Sequence, residues 1–367
     1  MPLFVIGASG SGKSASMQTL KKHLTDYEFF DFDDIGVPED ADKVWRQRST
    51  EAWIQKLIHN PSSKICLFGQ MVPGELVACP SFKLLKNVRV LFLDCSEEIR
   101  IERLRKRGSL ANQDQLNWSS WLRMHIKDPS WEVRIIENDS ARKLDFSVLK
   151  NRSDWKGLLE IQKMDTSQMT IEEVSEQISK LIKFFELFGE IRLLRRSDIQ
   201  ALSDAFSKES FPKPVDLFER YLEENKCFKR STFIALSSSG QYLGYINILW
   251  QSGYLNFREK GIPEIHDFNV IPSKRGLGIG SKMLEFCEAF IKERASKAGL
   301  GVGLYQGYGR AQQLYVGRGY VPDGHGVTYG GNPAVPGENY PLDDDLVIWM
   351  IKNLNRSGEA VNPVTIS

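Results

Sequence analysis

A strand, a glycine-rich loop and a helix follow one another within the first 24 residues. Leu3, Phe4, Val5 and Ile6 make an apolar run of strand length that passes directly into Gly7-Ala8-Ser9-Gly10-Ser11-Gly12-Lys13-Ser14. This is a complete G-x-x-x-x-G-K-S loop, and residues 13–24 continue it with a helical pattern. Gly7, Gly10 and Gly12 let backbone N–H groups wrap phosphate oxygens, Lys13 would neutralise β- and γ-phosphate charge, and Ser14 would sit on Mg²⁺. A loop of this kind is set at the carboxyl end of a parallel strand.

The next residues supply that sheet. Phe29-Phe30-Asp31-Phe32-Asp33-Asp34 reads as a second strand ending in carboxylates. Residues 65–68 give a third, followed by Gly69-Gln70; residues 88–93 give a fourth, ending at Asp94; residues 159–162 give a fifth. Helical patterns over 43–58, 97–107 and 171–185 lie between or after them. The alternation predicts an α/β domain over residues 1–188: a parallel sheet with helices on both faces and ligands at the carboxyl ends of its strands.

Leu93-Asp94-Cys95-Ser96-Glu97-Glu98 and the following Glu102-Arg103-Leu104-Arg105-Lys106-Arg107-Gly108 resemble the segment leading into the lid of the P-loop kinases of the nucleoside-monophosphate, shikimate and gluconate kinase group. The resemblance implies that Arg103 packs on adenine and Arg107 reaches phosphate, and their spacing of four puts both on one helix face. Asp165-Thr166-Ser167 is similar to the adenine-side loop of that group. Asp33 stands where such enzymes keep a carboxylate that orients an acceptor hydroxyl; a turn or helix cap is the competing reading of Asp33 and Asp34. Gly69-Gln70 and Pro73-Gly74-Glu75 replace the Asp-Gly-Phe-Pro-Arg of true nucleotide kinases, which argues against a nucleotide acceptor. Trp118, Trp121, Arg123, His125 and Trp131 make the lid region unusually aromatic, either to pack on the domain or to stack on a ligand.

The second half turns on Glu264-Ile265-His266-Asp267-Phe268-Asn269-Val270, a strand stopping at Ile271-Pro272, and on Arg275-Gly276-Leu277-Gly278-Ile279-Gly280, which opens a helix whose apolar face carries Met283, Leu284, Cys287 and Ile291. Small residues there would bring backbone N–H groups to a diphosphate at the positive end of the helix. With its flanks the stretch resembles motif A of the GCN5-related N-acetyltransferases. The resemblance covers residues 190–353 and implies a mixed α/β fold with a splayed central sheet, and acetyl-CoA held by Arg275, Gly276, Gly278 and Gly280. It further implies Val270 N–H as the single oxyanion donor and Glu264 or His266 as the base. Alternation puts these two on one face, with Asp267 on the other unless a bulge intervenes. Ala311-Gln312-Gln313-Leu314-Tyr315 followed by Gly319-Tyr320 is similar to the family's Ala-x-x-Leu-Tyr helix, whose tyrosine faces the CoA sulfur, so Tyr315 is the expected acid.

Lys and Arg total 48 against 47 Asp and Glu, so nothing global points to nucleic acid or a bilayer surface. Five scattered cysteines without a C-x-x-C pair suggest reduced thiols and a cytoplasmic setting. No leader pattern is visible at the start, and no apolar run reaches the ~18 residues of a membrane helix. Asp343-Asp344-Asp345 would attract a polycationic amine or form a solvated acidic turn. The expectation is a P-loop kinase-like ATP-binding domain (1–188), an acetyltransferase domain (189–354) and a loose tail (355–367). Together they would acetylate a small-molecule amine such as an aminoglycoside or polyamine from acetyl-CoA, and phosphorylate a hydroxyl with ATP and Mg²⁺. The alternatives are a first domain that only gates the transferase, or a protein or tRNA acceptor.

Overall fold

The computed structural model describes residues 2–60, 64–85, 88–108, 113–137, 144–150 and 158–354. The expected tail, 355–367, and the first residues after Gly108 lie outside them. The chain divides into two compact units, Met1–Ser179 and Lys180–Ser367. The division falls inside a helix, and the strand after that helix begins without a linker.

In the first unit β1 (Leu3–Ile6), β2 (Glu28–Asp31), β3 (Ile65–Gly69), β4 (Arg89–Asp94) and β5 (Glu160–Asp165) form a five-stranded sheet in the order β2-β3-β1-β4-β5. Every pairing is parallel, from Leu3↔Cys66 and Leu3↔Arg89 outward. Buried on both faces, β1 and β3 are apolar throughout, as parallel strands covered by helices must be. The covering helices are α1 (Lys13–His23), α2 (Lys43–His59), α3 (Pro73–Ala78), α4 (Glu97–Lys106), α5 (Gln113–Lys127), α6 (Ser147–Lys150) and α7 (Ile171–Leu187).

The second strand is shorter than its composition suggests. It stops at Asp31, and Asp33 and Asp34 belong to a 3-10 turn, Phe32–Ile35. Asp31 accepts from the Asp33 N–H at 3.2 Å, while Asp34 accepts from the Asp31 N–H at 2.9 Å, so the carboxylates compete with the ladder for backbone donors. The lid region also differs from a mobile flap. Residues 113–127 are helical, and Trp118, Trp121 and His125 stack on one side of α5 with centroids 5.0 and 4.7 Å apart. The Arg46 guanidinium caps the stack 5.1 Å from the Trp118 ring. Packing, the blander reading of these aromatics, describes what Trp121 and His125 do: both are buried.

The second unit is built on an eight-stranded sheet. Its strands are β6 (Phe188–Leu193), β7 (Arg230–Ser237), β8 (Tyr242–Leu249), β9 (Glu264–Val270), β10 (Lys297–Gly303), β11 (Val321–Tyr329), β12 (Asn332–Pro333) and β13 (Leu346–Asn353). The order is β12-β11-β13-β10-β9-β8-β7-β6, antiparallel except for β9 with β10. Between and beside them run α8 (Ile199–Ser207), α9 (Val215–Lys226), α10 (Leu255–Glu259), α11 (Ile279–Lys292) and α12 (Gly309–Gly317). The turn before α8 is held by Asp198, which accepts from the Arg195 N–H at 2.7 Å and pairs with Arg192. Helices α8 and α9 pack Phe206 and Phe218 on Tyr245 of β8, with α11 on the opposite face through Phe286 and Phe290 against Phe233.

Among the described residues no helix is long and apolar enough to cross a membrane, no group of His, Cys, Asp or Glu is placed to hold a metal, and all five cysteines are free.

Candidate active site

Strand β9 organises the second unit's site. It pairs in parallel with β10 only at Glu264↔Gly299 and Ile265↔Leu300, and beyond Ile265 the two strands part. On its other edge it pairs with β8 through Leu249↔Glu264, Ile248↔Ile265 and Asn247↔His266; the register then shifts and resumes at Tyr245↔Asn269. Two residues, Asp267 and Phe268, therefore face one, Ile246, which is a β-bulge. Opposed residues share a face, so Glu264, His266 and Asn269 lie on the α8/α9 side with Leu249, Asn247 and Tyr245. The bulge brings Asp267 to that side as well. Its φ of +39° lies in the left-handed region, disfavoured for a residue with a Cβ.

That face is polar and well connected. One oxygen of Asp267, Oδ2, accepts from Tyr221 at 2.6 Å and Tyr245 at 2.8 Å, and Oδ1 accepts from Asn269 at 2.7 Å. Asn247 Nδ2 donates to the Asp267 carbonyl at 3.1 Å and fixes the bulge from β8. Glu264 is buried and accepts from Ser252 Oγ; burial raises its pKa, opposed by His266 and Arg230. His266 has a buried Nδ1 without a hydrogen-bond partner among the described residues. The structure thus brings Glu264 and His266 together as expected, but adds Asp267, Tyr221 and Tyr245. Alternation leaves the side of Asp267 open, because a bulge leaves no trace in it, and it misses Tyr221 and Tyr245, since α9 and β8 carry no motif.

At the far end of β9, Ile271 N–H donates to Leu243 O at 2.9 Å. Because successive N–H groups point to opposite edges of a strand, Val270 N–H is directed away from β8, toward the gap opened by β10. Arg275 Nε donates to Val270 O at 3.0 Å from the loop that follows. Gly278 begins α11 at φ +86°, a left-handed position that L side chains resist. At Gly280 a Cβ would stand 3.2 Å from the Phe268 ring, 3.7 Å from Leu314 Cδ2 and 3.7 Å from Val270 Cγ2. Strand end, helix start and α12 therefore meet with little between them. The loop Arg275, Gly276, Gly278 and the first turn of α11 present backbone to an approaching anion, and this fits a diphosphate. Tyr315 lies on α12, beside Leu314, with its hydroxyl pushed up to about 12 by burial. Gln312 anchors α12 to the end of β10 by donating to Gly303 O at 2.8 Å.

Asp343 and Asp344, of the acidic run, accept from tyrosines: Tyr329 at 3.1 Å for the first, Tyr305 at 2.5 Å and Tyr308 at 3.2 Å for the second.

In the first unit, Gly12 caps α1 at φ +99° and Ser14 is exposed on the first turn. Lys13 is buried and bends back to the loop, donating to Gly7 O at 2.6 Å and Ala8 O at 2.9 Å. Burial lowers its pKa to about 8, against the pull of Asp31 and, more weakly, Asp33. Asp33 is itself raised, chiefly by desolvation and then by Asp31 and Asp34. Gln70, after β3, donates to Ser9 Oγ at 2.7 Å and steadies the loop. Arg103 reaches Gly10 O at 3.4 Å, Thr166 O at 2.7 Å and Met169 O at 3.3 Å, so it joins the loop to the segment after β5. Arg107 is exposed at the end of α4, its charge opposing that of Lys13. Arg100, not singled out by its sequence, is fully buried against Gly10 and donates to Gln115 O at 3.3 Å.

Residues 199–320 match the model of the acetyltransferase (GNAT) family. Among solved structures, the chain is similar to an N-acetyltransferase from Staphylococcus aureus Mu50 (16% identity, 45% of this chain and 98% of that one, TM-score 0.35). It is also similar to a spermidine N-acetyltransferase from Vibrio cholerae in complex with CoA and spermine (16% identity, 46% and 96%, TM-score 0.34). A third is an aminoglycoside 6′-N-acetyltransferase complexed with coenzyme A (19% identity, 47% and 100%, TM-score 0.33). No curated protein matches. The second unit accordingly contains a GNAT acetyltransferase domain, and the family match stops short of the first unit.

Proposed function

We propose that the protein transfers acetyl from acetyl-CoA to a small-molecule amine, a polyamine or aminoglycoside being the favoured class, at the splay between β9 and β10. The observation that carries this reading is the convergence of Val270, Gly280 and α12 within a family-matched domain. Acetyl-CoA supplies an activated thioester. Arg275, Gly276, Gly278 and Gly280 hold its diphosphate at the start of α11, and Val270 N–H polarises the carbonyl oxygen. His266 or Glu264 takes the proton that the amine loses as it forms the new C–N bond. As the C–S bond breaks, Tyr315 gives its proton to the sulfur and recovers one from solvent.

The first unit, in this proposal, binds Mg-ATP. Gly7, Gly10, Gly12 and Lys13 cradle the phosphates, Ser14 ligates Mg²⁺, Arg103 and Arg107 flank the nucleotide, and Asp33 orients a hydroxyl for phosphoryl transfer. Support comes from a buried lysine held on loop carbonyls that phosphate oxygens would replace. The proposed domains are 1–188 and 189–354, in a cytoplasmic enzyme.

Mass spectrometry of amine and metabolite panels, with acetyl-CoA and Mg-ATP omitted in turn, tests both halves. One compound gaining acetyl and phosphoryl groups supports both activities. Acetylation that ATP merely accelerates makes the first unit a regulator, and no small-molecule product redirects the search to protein or tRNA.

A further inference from the structure

Asp267 is held more elaborately than a structural carboxylate at a strand bulge requires. Its Oδ2 has both lone-pair directions filled by the Tyr221 and Tyr245 hydroxyls, while Oδ1 takes one hydrogen bond, from Asn269. The Lys213 ammonium stops 3.7 Å from Oδ1, beyond hydrogen-bonding distance. Both side chains of this pair are 20% exposed, so the contact lies at the mouth of the polar face. Lys213 comes from the loop between α8 and α9, and its Nζ also stands 4.9 Å from the Phe211 ring centroid and 6.0 Å from that of Tyr245. A carboxylate and two aromatic faces around one ammonium form a cation site. The donors around Asp267 are neutral, so they fix its geometry without discharging it. The left-handed backbone at Asp267 is of the sort retained where surrounding structure enforces it.

We propose that Asp267 anchors the ammonium of a cationic amine acceptor, and that Lys213 is a built-in occupant of this site which the acceptor displaces. This rests on the acetyl-transfer reading and adds to it a specificity-determining residue and an internal competitor. Tyr221, Tyr245 and Asn269 are positioning residues that hold the carboxylate. An acceptor that is uncharged at neutral pH, such as an arylamine, gains nothing from this site.

The test is titration calorimetry of the full chain with spermidine as the probe, in the absence of acetyl-CoA, alongside a separate titration with acetyl-CoA. Asp267→Asn should weaken spermidine by about tenfold or more, the scale of one lost charge-assisted hydrogen bond. Lys213→Met should tighten it by about two- to fivefold, the scale of a weak, part-exposed ion pair removed from competition. Added salt should narrow both differences. A structural role for the pair predicts that Lys213→Met lowers the melting temperature and leaves affinity unchanged. That result, equal affinity in the wild type and Asp267→Asn, or no spermidine binding to any of the proteins, overturns the assignment. If Asp267→Asn fails to fold, Lys213→Met alone still decides. Loss of acetyl-CoA binding by the wild type would instead defeat the transferase reading, whatever spermidine does.

Discussion

Arg275 Nε donates to the carbonyl oxygen of Val270 at 3.0 Å, closing the loop after β9 back on the strand end it follows. The same guanidinium lies 5.1 Å from the Phe211 ring, so a long exposed side chain is tied at two points. The bond fixes the plane of the Val270–Ile271 peptide and, through it, the strand end that carries Val270 N–H. Replacing Arg275 by Met should raise the Kd for acetyl-CoA and lower kcat together, by about two- to threefold each, which combined is the scale of one hydrogen bond of about 1 kcal/mol. Calorimetry and steady-state kinetics separate the two; an unchanged kcat would mean the bond does not orient the strand end.

Tyr315 is buried, and nothing but burial raises its hydroxyl, to about 12. It is therefore protonated across the working range, as an acid must be before it gives its proton up. Tyr315→Phe should cost about a hundredfold in kcat with the acetyl-CoA Kd unchanged. The wild-type kcat profile should show no alkaline fall below about pH 11 from this group, and a fall that disappears in the variant would assign it a lower value.

How much of this was legible beforehand divides along physical lines. Strand β1, the glycine loop and the loop into α11 follow from residues whose conformational demands are local. The parallel sheet follows from apolar runs such as those of β3 that alternation with helices forces to be buried on both faces. The carboxylates after β2 misled, because Asp31 accepts from the Asp33 N–H and Asp34 from the Asp31 N–H, and these local bonds end the strand early. The Asp267 bulge, an alternative the sequence leaves open, could not be decided from it for a different reason. Asn247, twenty residues away, fixes it through the Asp267 carbonyl, and the tyrosines that hold its side chain come from α9 and β8. Such a site is made by tertiary contacts alone.

His125 accepts from the Gly74 N–H through Nε2 at 3.1 Å, so the ring nitrogen that contacts α3 must be unprotonated. Burial lowers its pKa to about 4. A group depressed in the folded state binds fewer protons there than when unfolded, so stability is full above about pH 6.5 and declines as pH falls toward 4. The loss attributable to His125 is about 3 kcal/mol. Denaturant melts of wild type and His125→Gln between pH 7 and 4 check this: the variant should start less stable and fall less steeply over that window, and parallel curves would exclude the histidine as the cause.

Lys13 presents the opposite balance. Its ammonium is buried with a pKa lowered to about 8, chiefly by desolvation, and it donates to the Gly7 and Ala8 carbonyls at 2.6 and 2.9 Å. Below pH 8 the charge is present in both folded and unfolded chains, and the folded one bears its full desolvation cost of about 3 kcal/mol. Between about pH 8 and 10.5 the unfolded lysine still holds its proton while the folded one sheds it, so that cost fades as pH rises. Lys13→Met should therefore be more stable than wild type at pH 7, by about 1–3 kcal/mol once the lost carbonyl bonds are subtracted, and the advantage should shrink toward pH 10. The same variant should lose all thermal protection by Mg-ATP, whereas the wild type gains stability with nucleotide concentration as any ligand-binding folded state does. In the proposed reading, the phosphates of Mg-ATP offset what remains of this cost. Equal nucleotide protection in both proteins would reduce the loop to a structural turn.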